Sequence, residues 1–295
     1  MSLTNRDNYT PSKPLASSLA ESLLAASVTD FGKIVAYQTC GSTMEEAQIL
    51  LTNTGSDKLE RYCATVEANN NLIVVSKEQT LGKGRDGRVF LSQKDFGIWA
   101  TFCMDFDMNE VSIDGLSLAI GVGLVEELAQ LGLEIGLKWP NDLVVVESDG
   151  KLSKLCGILI ETSLRTNALS SLRIGVGLNL RASSSHEFKS VGLSELLESS
   201  RDQPLSYEEG FTLLTRSIAK AWTEFKLGGI EAFLTRWEKH SIMHGKQISF
   251  IRDGKNESGV VVGLDNHGAL LVRYSNGYTV NIHSGEVRLL DVARN

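Results

Sequence analysis

Two apolar runs joined by a very short turn constrain the fold of this chain more than any other feature. Strands predicted at 135–139 and 143–147 flank Pro140-Asn141-Asp142, a turn-forming triplet whose proline ends any helix. Asp149-Gly150 then signals a hairpin into the next strand, at 154–161. Because parallel neighbours need long crossover connections, strands joined by such short turns belong to an antiparallel or mixed sheet and not to a doubly wound parallel one.

The hydrophobic period predicts the remaining elements of the larger part of the chain. Strands are expected at 33–37, 72–75, 96–104 and 171–180, and helices near 43–51, 113–131, 207–225 and 230–237. Residues 1–31 are expected to form a flexible tail that ends in a short helix, since Leu15, Leu19 and Leu23 recur at four-residue spacing. The segment 183–185 is serine-rich and is expected to be an exposed loop.

After Gly245 the hydrophobic period changes from that of helices to that of strands. Five short strands separated by turns rich in Gly, Asn and Asp predict a small β-barrel: 247–252, 259–264, 269–274, 278–282 and 286–290. We therefore predict an α+β chain divided into a tail (1–31), a larger domain (32–244) and a C-terminal barrel (245–295).

Composition excludes several classes of function. A net charge of −7 over 295 residues argues against a dedicated nucleic-acid binder, whose affinity depends on neutralising phosphates. The sequence contains no run of eighteen apolar residues and no secretory signal, and its four cysteines are scattered, as is typical of a cytoplasmic protein. An organelle transit peptide is left open. His240 and His244 are four residues apart without an acidic residue between them, so no metal site is predicted there.

The loop Gly82-Lys83-Gly84-Arg85-Asp86-Gly87-Arg88 contains three glycines and three cations in seven residues. Glycine lets the backbone approach a ligand and adopt positive φ, and Lys and Arg supply charge and N–H donors. In an acidic chain this local cluster suits a small anionic ligand. The alternative interpretation is an ordinary solvated loop.

The start of the helix near residue 43 carries a second polar signal. Ser42 or Thr43, with Glu45 or Glu46 three residues later, forms a capping-box pattern. The same hydroxyls and free N–H groups are also suited to a ligand carboxylate or carbonyl. The local sequence does not separate these two interpretations.

Three further features are ambiguous when each is taken alone. Lys154 at a strand start is compatible with a solvated side chain, and Asn141-Asp142 with a simple turn. Gly175 and Gly177 lie on one face of their strand, where glycine marks the close approach of a ligand or of another backbone.

Together these motifs resemble, in order and spacing, the biotin–protein ligase (holocarboxylase synthetase) family, from about residue 35 to the C-terminus. The Lys-Trp-Pro-Asn-Asp element and the arginine loop are the specific part of the resemblance, whereas the glycine-containing strand is not. The matching segments are Ser42-Thr43-Met44, Gln79 to Arg88, Lys138 to Asp142, Lys154 to Glu161 and Gly175 to Asn179.

The resemblance implies a two-step ligase reaction. ATP and biotin would first give biotinyl-5′-AMP and pyrophosphate, and a lysine of the biotin-accepting domain of a carboxylase would then displace AMP. It implies catalytic roles for Lys154 and Arg85. The implied biotin-binding residues are Ser42, Thr43, Met44, Gln79, Gly82, Lys83, Gly84, Arg85, Lys154 and Gly157. The implied ATP- or phosphate-binding residues are Lys83, Arg85, Arg88, Asn141, Asp142, Lys154 and Asn179, with Mg²⁺ bound alongside ATP and no metal ligand assigned to the protein.

The fold that the resemblance implies is a mixed sheet with packed helices, related to class II aminoacyl-tRNA synthetases and lipoate ligases, followed by an SH3-like barrel. The residues before Val35 are too few for the helix-turn-helix domain of the family's regulatory members. The expected form is therefore a single-function ligase, monomeric or weakly dimeric, with no nucleic-acid or membrane partner.

The chain departs from the family pattern at three positions. Lys83 stands where the family has arginine, Met44 replaces asparagine, and Phe90 stands where tryptophan is frequent. Two rival interpretations stay open. A lipoate or octanoate ligase shares the sheet and the adenylation lysine, although Lys-Trp-Pro-Asn-Asp favours biotin. A catalytically silent scaffold that binds a carboxylase through the barrel has no need of Lys154 or Arg85.

Overall fold

The computed structural model describes most of the chain. The described residues are 18–26, 31–52, 63–65, 71–107, 111–164, 169–183, 189–198, 200–201 and 203–290. The first part of the predicted tail and two of the three serines at 183–185 lie outside these residues.

Six helices and thirteen strands occur in the described residues. The helices are α1 (Ser18–Ala26), α2 (Thr43–Thr52), α3 (Leu116–Ala129), α4 (Leu193–Leu197), α5 (Tyr207–Gly228) and α6 (Leu234–His240), with short 3₁₀ turns at Arg85–Gly87 and Ile230–Phe233. The first eight strands are β1 (Lys33–Tyr37), β2 (Cys63–Thr65), β3 (Leu72–Ser76), β4 (Gly97–Asp107), β5 (Gly136–Lys138), β6 (Asp142–Val146), β7 (Leu152–Leu164) and β8 (Leu169–Asn179). The last five are β9 (Gln247–Arg252), β10 (Lys255–Leu264), β11 (Leu270–Arg273), β12 (Thr279–Ile282) and β13 (Val287–Leu289).

Strands β1 to β8 form one mixed sheet in the order β2-β1-β3-β4-β8-β7-β6-β5. The β1–β3 pair is parallel, and every other neighbouring pair in this sheet is antiparallel. The sequence prediction of an antiparallel or mixed sheet is therefore confirmed. The short turns before and after β6 allow only antiparallel pairing of the strands that they join.

The two faces of the sheet are covered unequally. Alternate strand residues such as Phe102, Ile174 and Leu178 point to one face and pack with α1, α3 and α5 in the main core. On the other face α2 packs over a smaller cluster that includes Val74 and Cys103. The middle of β4, β7 and β8 on that second face is left for a cavity.

Helix α1 lies in the segment that the sequence predicted as a tail. Its Ala20 and Leu23 are buried in the main core. The described part of this segment is therefore packed against the sheet domain. Among the described helices, none is long and apolar enough to cross a membrane.

Strands β9 to β13 form a separate antiparallel sheet in the order β12-β11-β10-β9-β13. The turn between β10 and β11 rests on the larger part of the molecule. There the indole Nε1 of Trp139 donates to the carbonyl of Gly268 over 3.0 Å, and His267 Nδ1 lies 3.3 Å from a carboxylate oxygen of Asp114. This turn joins the C-terminal sheet to the turn that precedes β6.

Two elements were not predicted from the sequence. Strand β2 and helix α4 are three and five residues long, too short for a hydrophobic period to be expressed.

Candidate active site

A cavity of about 360 Å³ lies between the open face of the sheet, helix α2, the loop 82–90 and the C-terminal sheet. Such a volume falls within the range of small-molecule sites. Residues from all five sequence motifs line it: Ser42, Thr43, Met44, Gln79, Lys83, Gly84, Arg85, Arg88, Lys138, Asn141, Asp142, Lys154, Gly157, Gly175, Gly177 and Asn179. The fold therefore brings together residues that are far apart in the chain.

Two strand glycines form the floor of the cavity. Gly157 of β7 and Gly177 of β8 are register partners, and the ring of Phe90 lies on both. A Cβ atom added to Gly177 would lie 2.4 Å from ring carbons of Phe90, and one added to Gly157 would lie 2.9 Å from the same ring. The close approach predicted for these strand glycines is thus made, in this structure, by an aromatic side chain from the loop.

A β-bulge places Lys154 on the cavity side of the sheet. Lys154 and Gly157 are three residues apart and would face opposite sides of a regular strand. The register between β6 and β7 shifts between Leu143 and Val144, so that Leu155 and Cys156 both point into the core. Lys154 and Gly157 consequently share one face. A β-bulge has no signal in the hydrophobic pattern, and sequence reasoning missed it.

Lys154 is tied to its surroundings by side chain and backbone. Its Nζ lies 2.6 Å from Oδ1 of Asp142, and the two side chains are only 29 % and 23 % exposed. The amide of Asn179 donates to the carbonyl of Lys154 over 3.0 Å, and Asn141 donates to the carbonyl of Ile158 over 2.6 Å. Asn141 and Asn179 therefore fix the backbone around the lysine as well as lining the cavity.

The N-terminus of α2 is capped by a distant residue and not by the predicted capping box. Oε1 of Gln79 accepts from the amide and the hydroxyl of Thr43, over 2.8 and 3.1 Å. The Ser42 hydroxyl is buried and has no hydrogen-bond partner among the described residues, so of the two cap candidates, Ser42 and Thr43, Ser42 does not cap this helix. Since buried hydroxyls are nearly always satisfied, Ser42 is a ready partner for a ligand.

Met44, which stands where the family has asparagine, makes an apolar contact at this end of the cavity. A Cβ atom on Gly175 would lie 2.9 Å from Sδ of Met44, and Met44 is 5 % exposed. Met44 thus packs on the second strand glycine in the same way that Phe90 packs on Gly177.

The glycine–arginine loop is a two-stranded projection with a tight tip. Gly84 N donates to Arg88 O, and Phe90 N to Gly82 O, each over 2.8 Å. At the tip Asp86 and Gly87 both adopt positive φ, of 56° and 74°. The prediction that glycine serves backbone conformation in this loop is confirmed at Gly87.

Gly82, which the family resemblance implies as a biotin-binding residue, lies where the loop folds back on its own backbone. It is buried, and a Cβ atom there would lie 2.3 Å from the carbonyl oxygen of Phe90 and 2.9 Å from the Ser92 hydroxyl. It is not among the described residues that line the cavity. Gly82 therefore lets the loop backbone fold closely on itself.

Most cations around the cavity have a carboxylate partner. Lys83 pairs with Glu45, Arg88 with Glu286 at 3.8 Å, Lys154 with Asp142, and Lys189 with Glu147 at 3.2 Å. Hydrogen bonds from Ser153 and then Lys189 lower the pKa of Glu147, so that this partner is charged at neutral pH.

Within the described part of the chain, Arg85 and Lys138 are the cavity cations for which no ion pair is formed. The sequence predicts Arg85 as a site residue but assigns no role to Lys138, which belongs to the Lys-Trp-Pro-Asn-Asp motif. Lys189 also lines the cavity, and its carbonyl accepts from the amide of Lys154 over 2.9 Å. No motif marked Lys189, because its position follows from tertiary contacts.

A cavity floored by strand glycines and lined by polar groups, and by two cations without an ion-pair partner among the described residues, suits an anionic small molecule. Comparison with known proteins makes this specific. Residues 47–179 match the biotin/lipoate A/B protein ligase family, and residues 243–290 match the biotin protein ligase C-terminal domain. The chain is similar to this ligase family over these two segments.

Two curated relatives illustrate the similarity. The bifunctional ligase/repressor BirA of Escherichia coli is 29 % identical over 200 residues, which cover 67 % of this chain and 60 % of that protein. The biotin–[acetyl-CoA-carboxylase] ligase of Paracoccus denitrificans is 24 % identical over 238 residues, which cover 76 % of this chain and 93 % of that protein. The match thus spans about three fifths of the bifunctional relative and nearly all of the second.

Solved structures show the same fold. The biotin protein ligase from Aquifex aeolicus in complex with biotin and ATP superimposes with a TM-score of 0.64 at 23 % identity, covering 87 % of this chain and 98 % of that one. This likeness confirms the predicted α+β architecture, with a mixed sheet and a C-terminal β-sheet.

Proposed function

We propose that this chain is a biotin–protein ligase. In the first step a carboxylate oxygen of biotin attacks the α-phosphorus of ATP, giving biotinyl-5′-AMP and releasing pyrophosphate. In the second step the amine of an acceptor lysine attacks the carbonyl carbon of this mixed anhydride, and AMP leaves. The acceptor is the biotin-accepting domain of a carboxylase, in keeping with the name of the Paracoccus denitrificans relative.

The position of Lys154 carries this proposal. Two anions, a carboxylate and an α-phosphate, repel each other, so their encounter needs fixed positive charge at the point of reaction. The bulge in β7 sets Lys154 on the cavity face beside the glycine floor, and Asp142 and Asn179 hold it there. Lys154 would bridge the two anions, with Asp142 as the counterion that it exchanges for them.

Other residues would divide between the two ends of the ligand. At the α2 end, Ser42, Thr43 and Gln79 would hydrogen-bond the ureido ring, with Met44 as an apolar wall and Gly157 as floor. Among the described residues the Ser42 hydroxyl has no partner, so a ligand bond there satisfies a buried polar group.

At the other end, the cations would hold phosphates. Arg85 has no ion-pair partner among the described residues, and Arg88 has a loose partner in Glu286 at 3.8 Å. Gly84 would let the loop backbone lie close to the ligand. Closing the loop over the adenylate would also exclude water, which otherwise hydrolyses a mixed anhydride. Asn141, Asp142 and Asn179 remain candidates for phosphate or incoming-lysine contacts.

Mg²⁺ would be held chiefly by the nucleotide. No group of three or more His, Cys, Asp or Glu that could bind a metal ion is found in the part of the chain that the structure describes. The Asp142 carboxylate beside Lys154 is the acidic group suited to supply one oxygen ligand. The ion would neutralise phosphate charge when bound.

Biotin is preferred to lipoate as the substrate because of the C-terminal sheet. The sheet-domain family covers both activities, whereas residues 243–290 match a domain described for biotin protein ligases. The same proposal includes the division into a larger domain (32–244) and a C-terminal barrel (245–295). It also includes a cytoplasmic location, where ATP is available, and a monomer or weak dimer.

Incubation of the protein with ATP and radiolabelled biotin tests the proposal. Wild type should form labelled adenylate, and Lys154→Met should lose at least about two orders of magnitude in rate, as expected when a preorganised charge is removed. Lys94→Met is the matched control, since Lys94 is exposed and is not among the residues that line the cavity. Absence of adenylate with wild type, or equal rates in both variants, would refute it.

A further inference from the structure

We propose that Lys83 is a positioning residue that ties the loop 82–90 to helix α2 through Glu45, and that it does not bind phosphate. The inference rests on the proposed function only for its kinetic readout. It concerns the one loop cation that departs from the family pattern, and it replaces the sequence prediction that Lys83 binds ATP.

The backbone of the loop is anchored only as far as Leu81. Thr80 N donates to Cys40 O over 2.9 Å, and Leu81 N to Gly41 O over 2.8 Å. These bonds fasten the start of the loop beside the segment that enters α2. From Gly82 to Phe90 the backbone hydrogen bonds among the described residues lie within the projection itself, for example Gly84 N to Arg88 O. Beyond Leu81, side chains must therefore connect the projection to α2.

Lys83 is the first side chain past this anchor, and it points at Glu45. Its Nζ forms an ion pair with the carboxylate of Glu45, and the two side chains are 45 % and 32 % exposed. Glu45 lies in the first turn of α2, where the helix dipole favours a negative charge. Among the described residues, Glu45 does not line the cavity, so the pair draws the ammonium toward the outside of the site.

The charge balance supports the same conclusion. A cation with a carboxylate in contact adds little net positive potential at a ligand farther away, whereas Arg85 has no such partner among the described residues. Arg88, on the returning side of the projection, reaches Glu286 of the C-terminal sheet at 3.8 Å. The projection is thus tied at both sides, and the tip 84–87 between the ties carries the unpaired arginine.

Hydrogen exchange of the ligand-free protein tests the tie without reference to activity. The variants are Lys83→Glu, Glu45→Lys and the double swap, with Lys94→Glu as a control for a change of charge at an exposed lysine. Each single variant should speed exchange in the peptide 80–92 by about two- to fivefold, the range for partly exposed ion pairs. The swap should restore wild-type exchange to within about twofold. Unchanged exchange in the single variants, or no recovery in the swap, would overturn the tie.

The KM for ATP separates a tie from a phosphate ligand. If Lys83 only positions the loop, the swap places glutamate at residue 83 and still recovers a KM within about threefold of wild type. If Lys83 binds phosphate, glutamate repels it, and the swap stays as impaired as Lys83→Glu; that result would overturn the inference. Absence of adenylate formation in wild type would instead refute the proposed function, while the exchange measurement would still decide the tie.

Discussion

The hydrogen bond from Trp139 to Gly268 gives the sharpest test of how the C-terminal sheet is joined to the site. Trp139 is 2 % exposed, and its Nε1 donates to the Gly268 carbonyl over 3.0 Å. It lies in the turn that contains Asn141 and leads into Asp142 of β6. The substitution Trp139→Phe keeps an aromatic ring and removes the donor.

The expected cost follows from the buried carbonyl that is left behind. An acceptor that loses its partner in a buried contact costs about 1–3 kcal/mol. The smaller ring also loses packing contacts, which adds to the destabilisation. A second buried tryptophan measures this packing contribution separately. Trp237 is 0 % exposed, and its Nε1 has no hydrogen-bond partner among the described residues. Trp237→Phe therefore loses packing and no hydrogen bond.

The assay is equilibrium unfolding in urea, supported by thermal melts, on wild type and both variants. Trp139→Phe should be less stable than Trp237→Phe by about 2 kcal/mol, or about 4–8 °C in Tm if 1 kcal/mol shifts Tm by about 2–4 °C. Equal destabilisation by the two substitutions, within about 0.3 kcal/mol, would refute the argument that this bond joins the sheets.

Three further predictions address the cavity and the core. Lys138→Met should raise the KM for ATP about tenfold, because a charged contact to phosphate is lost. Lys189→Met should change the KM less than about threefold, because Lys189 is already paired with Glu147. Equal effects of the two substitutions in steady-state kinetics would contradict the charge balance. Gly177→Ala places a methyl group 2.4 Å from the Phe90 ring and should weaken biotin binding, measured by calorimetry, about tenfold. Gly175→Ala should weaken binding less, because its methyl group meets the flexible end of Met44. The reverse order would count against the glycine floor. Burial raises the pKa of the Cys40 and Cys156 thiols to about 12, so both keep their proton at pH 8. Both thiols should therefore resist iodoacetamide in the folded protein and react once it is unfolded. Rapid labelling of Cys156 in the native state would contradict this prediction.

The mixed sheet was predictable because its cause is local. Pro140-Asn141-Asp142 and Asp149-Gly150 are turns too short for a crossover, and they force antiparallel pairing wherever they occur. The C-terminal strands were likewise visible, because each one alternates between buried and exposed residues. The five motifs and their order also lie in the sequence, and they were sufficient to indicate the family.

The arrangement of charges within the site was decided by tertiary structure. Whether Lys154 faces the cavity depends on the bulge at Leu155, and whether Lys83 is available for phosphate depends on Glu45, which lies 38 residues earlier in the chain. Similarly, Gln79 and not Ser42 caps α2, because the folded chain brings the amide of Gln79 to that helix end.

The sequence by itself determined which residue types this protein offers to a ligand and the sheet that carries them. Only the tertiary structure decided which cavity cations have a carboxylate partner in the described part of the chain, and that Trp139 reaches the C-terminal sheet. The physical reason is range: turns and alternation act between neighbours in the chain, whereas ion pairs, bulge register and buried hydrogen bonds depend on partners that only folding brings within a few ångströms.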